Sequence, residues 1–268
     1  QEHRKRLDDF QTDVKDVRLH LEDQPGICDS LKIHENGVQA IFPSGVLSHF
    51  ENSGYVEPLF PPMRHPEYCF KRNPWNLLRL DYIVHDFPAM CRKLKRTSRI
   101  VFIDMGASLN FHDSGSSSSR ASHQPAMYIT QLYQKFGFKF DHIYAFEVTE
   151  QKPQEVFKRV PPELLAAYHW INVGVSSDPN DMMNPLKMLL DNFNEDDFVV
   201  IKLDIDTPAI EMPLVYQLLE DERLSKLVDS FYFEHHVNLR ELAGAWGETM
   251  GSQSVGGSMR LFKSLRAK

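Results

Sequence analysis

The chain has no apolar run near the roughly 18 residues that a membrane-spanning helix needs, and its first thirty residues are densely charged rather than leader-like. Neither a membrane span nor a signal peptide is therefore expected in it. Cysteine is scarce: Cys28, Cys69 and Cys91 are the three present, without metal-type spacing. One disulfide plus a free thiol, or three buried thiols, fit that odd number equally well, so the redox compartment stays open. A basic stripe is missing too. The 30 Lys and Arg are spread along the chain against 37 Asp and Glu, a net charge of −7, which argues against nucleic acid as a partner. No Gly-x-Gly-x-x-Gly occurs, and no phosphate-cradling loop opens a helix directly, which disfavours NAD.

What is present reads as an ordinary folded chain. Its 268 residues are 42% hydrophobic and 25% charged, enough apolar surface for a sizeable core and too much for global disorder. The first residue is Gln1 rather than Met, which fits a natural N-terminus with a targeting or anchoring segment removed and hence a luminal domain, although no Asn-x-Ser/Thr sequon supports that compartment.

Two regions are expected. Residues 1–24 place Leu7, Phe10, Val14, Val17 and Leu21 on one helical stripe, and residues 25–76 are interrupted by Pro25, Pro43, Pro58, Pro61, Pro62, Pro66 and Pro74. Residues 1–76 thus read as a helix and an irregular cap. Residues 77–268 read as the main domain, opened by a helix-patterned segment up to Arg96. Strands are expected at 99–103, 142–146, 170–173, 198–203 and 230–233, with helices at 125–136, 151–159, 185–193 and 210–219 between them. Continuous apolar runs alternating with amphipathic helices predict an α/β, Rossmann-like fold with a mostly parallel sheet covered on both faces. Ser114 to Ser119 is a low-complexity loop.

Ligands of such sheets bind beyond the carboxyl ends of the strands. The first strand runs into Asp104, Gly106 and Ser108, and the second ends at Glu147. A glycine in the first turn admits close backbone approach, and an acid after the second strand can accept both ribose hydroxyl protons, so the pair points to a nucleoside cofactor. The fourth and fifth strands end in Asp204-Ile205-Asp206 and Glu234-His235-His236. Neighbouring strand tips converge, so Asp204 and His235 form a candidate pair for removing a hydroxyl proton, and Asp204, Asp206 and His235 a candidate site for Mg²⁺ or Mn²⁺.

The blocks Ile103-Asp104-Met105-Gly106-Ala107-Ser108, Tyr144-Ala145-Phe146-Glu147, Asn172-Val173-Gly174-Val175-Ser176 and Ile201-Lys202-Leu203-Asp204-Ile205-Asp206 with Glu211 together resemble the class I S-adenosylmethionine-dependent methyltransferases, and among them the FkbM type, over about residues 98–262. The resemblance implies S-adenosylmethionine as cofactor, with Asp104, Gly106 and Ser108 around its methionine part, Glu147 at the ribose, and Asn172 and Val173 near the adenine. It also implies a hydroxyl acceptor on a sugar, glycan or small molecule. Ser108 and Asn110 depart from the Asn and Gly usual in the family's first turn, and Asp206-Thr207 stands where Glu-Gly is usual. Such folds also carry one or two further strands, expected here beyond Lys268.

Two other classes fit parts of the pattern. A GT-A-type glycosyltransferase would use Asp204-Ile205-Asp206 to hold Mn²⁺ and a sugar nucleotide. A catalytically inert methyltransferase-fold binding protein would explain the altered first turn. The aromatics Phe42, Phe50, Tyr55, Phe60, Tyr68, Phe70 and Trp75 are expected to wall the acceptor site, with the serine loop as its gate.

Overall fold

The computed structural model describes residues 97–107, 126, 129–130, 133–134, 138–238, 240, 247 and 250–268. The expected N-terminal helix, proline-rich cap, aromatic wall, serine loop and Ser108 lie outside the described residues. The chain divides into two compact units, residues 1–93 with 128–139 and residues 94–127 with 140–268. The sheet belongs to the second. Of the helix expected over 125–136, residues 126, 129–130 and 133–134 are helical.

Five parallel strands are ordered β3-β2-β1-β4-β5. They are β1 (Ile100–Met105), β2 (His142–Phe146), β3 (Tyr168–Ile171), β4 (Phe198–Leu203) and β5 (Val228–Phe233). Helices α1 (Pro153–Phe157), α2 (Pro185–Asn192), α3 (Pro208–Glu220), α4 (Glu222–Leu227) and α5 (Val255–Arg266) complete the described regular structure, with a short 3-10 turn at Pro162–Leu164. This is the α/β, Rossmann-like architecture that the alternation of apolar runs and helical stripes predicts. Among the described residues no helix is long and apolar enough to cross a membrane.

The central strands are the most apolar because they are covered on both faces. Every residue of β4 is buried, and Val101, Phe102 and Ile103 of β1 are wholly so. Side chains alternate across a strand, so Val101, Ile103 and Met105 join Val199, Ile201 and Leu203 in one cluster with Leu186 and Leu189 of α2, Leu214, Val215 and Leu218 of α3, Leu224 and Leu227 of α4, and Leu261 of α5. Each such side chain contributes about 1.5–3 kcal/mol by leaving water. Phe102, Asp104, Val200 and Lys202 occupy the alternate positions, which is how two charged residues come to lie side by side within the sheet.

Local signals set the helix starts. Asn184 accepts from Leu186 and Lys187 N–H groups ahead of Pro185, and Ser254 accepts from Gly257 N–H ahead of Val255. One strand sits two residues earlier than its apolar run suggests, and another starts two residues earlier but ends where expected. β3 ends at Ile171 because Asn172 leaves the ladder to bind the loop after β2, and β5 starts at Val228 with a register shift at Val199/Val200.

Candidate functional site

The chain runs outward from β1 to β2 and β3, then returns to the other side of β1 with β4 and β5, so the strand order reverses between β1 and β4. Parallel sheets of this kind take up ligands beyond the strand ends at such a reversal. Here the two strand ends are joined by an ion pair: Lys202 Nζ lies 2.9 Å from Asp104 Oδ1, with 5% and 1% of the two side chains exposed. Lys202 also donates to the Gly106 carbonyl at 3.2 Å and faces Asp204 Oδ2 at 3.4 Å. Burial works to discharge the lysine, but the two carboxylates outweigh it and hold its pKa above the ordinary value. Burial pushes the Asp104 carboxyl up, against the pull of Lys202. The ammonium thus ties the first turn to the end of β4.

Backbone contacts finish that joint. Gly106 and Ala107 N–H both donate to the Phe146 carbonyl, at 3.0 and 2.9 Å, and Asp204 N–H donates to the Met105 carbonyl at 3.1 Å. Gly106 has φ 89°, and a Cβ there would stand 1.8 Å from the Asp204 carbonyl oxygen. The glycine is required by both the left-handed conformation and the contact between the two loops.

Glu147 follows β2 directly. It is half-buried, and its Oε1 accepts the Thr149 N–H at 2.7 Å. Asn172 fixes this loop by three hydrogen bonds. Its Nδ2 donates to the Glu147 and Thr149 carbonyls at 2.7 and 2.8 Å, and its Oδ1 accepts the Gln151 N–H at 2.8 Å. Both amide protons of Asn172 are engaged within the chain, so it positions Glu147. Beyond it, Val148 is largely exposed, and a Cβ on Gly174 would meet its Cγ2 at 3.2 Å.

The ends of β4 and β5 carry a dense polar group. Asp206 adopts φ 53°, a left-handed conformation that aspartate tolerates better than most residues. His236 is wholly buried, with Nε2 3.2 Å from Asp206 Oδ1 and 3.7 Å from Glu234 Oε2. Ligand atoms of Asp206, Glu234 and His236 all lie within 4.8 Å of one another. Burial would raise the Asp204 carboxyl, but Lys202 chiefly holds it below the ordinary range. Glu211, buried in the first turn of α3, accepts the Ile205 N–H at 3.0 Å, and burial pushes its pKa up to about 7.

His235 points elsewhere. Its ring stacks on Phe233 with centroids 5.2 Å apart, its Nδ1 is 2.9 Å from the Ser258 hydroxyl of α5, and burial lowers its pKa to about 4. It is neutral at pH 7 and a weak base there. Asp204 and Asp206 likewise divide: the first faces Lys202 and the second faces His236. The imidazole grouped with the acids is that of His236 rather than His235. Period-two alternation after β5 carries the signal, since residues 234 and 236 share one side while 233 and 235 share the other. Lys202 was visible in sequence as a lone charge in an otherwise apolar strand, but its role depends on the β1–β4 register, which pairs Asp104 with Lys202. Val173 packs partly buried against the core.

No family model, curated protein or solved structure matches this chain.

Proposed function

We propose that this chain is an S-adenosylmethionine-dependent O-methyltransferase of the FkbM type, acting on a hydroxyl of a sugar, glycan or small molecule. The observation that carries the reading is Glu147, a half-buried acid directly after β2 whose main-chain carbonyl is held by Asn172, in a sheet whose strand order reverses beside β1. One of its oxygens takes the neighbouring Thr149 N–H, and the other suits a ribose hydroxyl. Val148, largely exposed and packed against Gly174, places an apolar side chain next to it, against which a purine ring would lie. A free carboxylate oxygen beside an exposed apolar side chain is the chemistry that a nucleoside calls for.

The cofactor, when bound, supplies an electrophilic methyl on a sulfonium, which is reactive enough that positioning provides most of the acceleration. The chain's own residues hold and orient. Asp104 and Lys202 brace the first turn, Glu147 sets the depth of the nucleoside, and Asp204 is the acid best placed to receive the hydroxyl proton, since it stands at the end of β4 and Lys202 keeps it ionised. His235, neutral, stacked on Phe233 and 2.9 Å from the Ser258 hydroxyl, braces the end of β5 against α5 on the side away from the acids.

Calorimetric titration with S-adenosylhomocysteine tests the reading. Saturable 1:1 binding is expected, weakened in a folded Glu147→Ala variant by about 1.5–3 kcal/mol. No binding by the wild type, or unchanged affinity in the variant, sets the cofactor assignment aside. Binding of UDP only with Mn²⁺ would favour the glycosyltransferase.

A further inference from the structure

We propose that Asp206, Glu234 and His236 form a binding site for one divalent transition-metal ion at the junction of the β4 and β5 ends. Their ligand atoms, all within 4.8 Å of one another, come from three residues on two adjacent strand ends; an ion with bonds of about 2.0–2.2 Å holds its ligand atoms roughly 3–3.6 Å apart, so the 3.2 and 3.7 Å separations from His236 suit it and a small carboxylate rotation closes the rest. His236 is the buried member: its side chain is wholly buried, and its Nε2 stands 3.2 Å from Asp206 Oδ1 and 3.7 Å from Glu234 Oε2. An imidazole nitrogen that faces carboxylate oxygens from two different strand ends brings three ligand atoms around one point, which is where a cation would sit.

Charge supports this placement. Asp104, Asp204, Asp206, Glu211 and Glu234 converge on this end of the sheet, with Lys202 the ammonium among them, and Lys202 is already held by Asp104, Asp204 and Gly106. Asp206 and Glu234 stand close together at a partly exposed strand end, and a bound cation relieves their mutual repulsion. The ligand set also selects the metal. One imidazole with two carboxylates suits Mn²⁺, Fe²⁺, Co²⁺ or Zn²⁺, whereas Mg²⁺ and Ca²⁺ prefer oxygen alone.

Structure around the site fixes it before any ion arrives. Gly251 lies so close to the His236 backbone that a Cβ would stand 1.8 Å from the His236 carbonyl oxygen, and Asn238 N–H donates to the Gln253 carbonyl at 2.7 Å. The chain after β5 is thereby clamped by the segment leading to α5. Asp206, two-thirds exposed, leaves the solvent side open for an outside oxygen ligand. As a holder of the acceptor's oxygen the ion would deepen the methyl-transfer reading and rests on it; as a cation site it does not.

Mn²⁺ alone is the probe, titrated into the full chain and followed by the loss of the free-ion electron paramagnetic resonance signal. One ion per chain is expected. Asp206→Asn, chosen because its exposed side chain leaves folding intact, and Glu234→Gln should each weaken binding roughly tenfold or more, while Glu222→Gln on α4 should not. Absence of saturable binding by Mn²⁺, Co²⁺ and Zn²⁺ overturns the proposal, as does wild-type affinity in Asp206→Asn. Mn²⁺ binding without S-adenosylhomocysteine binding would keep the metal site and remove the methyltransferase.

Discussion

Lys202 and Asp104 are neighbours twice over: the β1–β4 register pairs their backbones, and their side chains meet at 2.9 Å inside the sheet. Removing one partner from such a pair leaves an uncompensated charge in a place water does not reach. Lys202→Met is expected to lower stability by roughly 3–5 kcal/mol. Asp104→Asn should be milder, because the ammonium keeps Asp204 and the Gly106 carbonyl. Combining the two changes should recover part of the Lys202→Met loss. Urea unfolding of the two single variants and the double variant measures this directly, and a Lys202→Met protein as stable as the wild type would show that the pair does not hold the two strands.

Two glycines with positive φ separate packing from conformation. At Gly106 an added Cβ meets the Asp204 carbonyl at 1.8 Å, whereas at Gly247 nothing described lies within 4 Å of it. Gly247→Ala therefore carries only the left-handed backbone penalty, about 1–2 kcal/mol. Gly106→Ala must in addition push apart the β1 and β4 loops, so its loss should exceed that of Gly247→Ala by roughly 2 kcal/mol or more. Equal melting temperatures for the two variants would mean that the loops separate freely.

Much of the sheet was legible because a parallel strand buried on both faces has little choice but to be apolar: Phe198–Leu203 is β4 to the residue, and Ile100–Met105 and His142–Phe146 match their runs closely. The strand-end acids Asp104, Glu147, Asp204 and Asp206 were legible for the same reason, as breaks in those runs. Pairwise contacts were not. That Asn172 holds a loop 25 residues earlier in the chain, that Lys202 reaches across to Asp104, and that His236 rather than His235 faces the acids all depend on register and on which side a residue emerges. The C-terminal helix α5 escaped because Gly256 and Gly257 stand in its first turn, where glycine normally argues against a helix; the Ser254 cap and the burial of Ser258 and Leu261 offset it.

Asn172 offers a test of positioning at a distance from any ligand. Asn172→Ala removes three hydrogen bonds to the loop that carries Glu147, and about 1–3 kcal/mol of stability should go with them. Asn172→Asp keeps the acceptor for Gln151 N–H and loses the donors to the Glu147 and Thr149 carbonyls. If the loop sets the height of Glu147, both variants should weaken S-adenosylhomocysteine binding while Mn²⁺ binding stays unchanged. Unaltered affinity in both, measured by calorimetry, would show that Glu147 holds its place without the clasp.

The opposite end of β4 supplies a pH dependence remote from the candidate site. Asp197 is buried, which by itself raises its carboxyl, yet Arg99 Nε and Nη2 at 3.0 and 2.6 Å and the backbone N–H groups of Arg99 and Asn194 hold it below the ordinary carboxylate range. A carboxyl lowered in the folded state stabilises above its unfolded value of about 3.9 and ceases to do so as pH falls through the folded value. The contribution of this group should therefore be constant above about pH 5 and decline below it. Asp197→Asn should lose about 2 kcal/mol at pH 7 and show a shallower acid decline. Since 40% of the Arg99 side chain is exposed, salt should screen only the guanidinium part of the effect and leave the backbone hydrogen bonds in place. Urea midpoints for both proteins between pH 3 and 7 decide the matter: parallel curves would assign the acid sensitivity to other carboxylates.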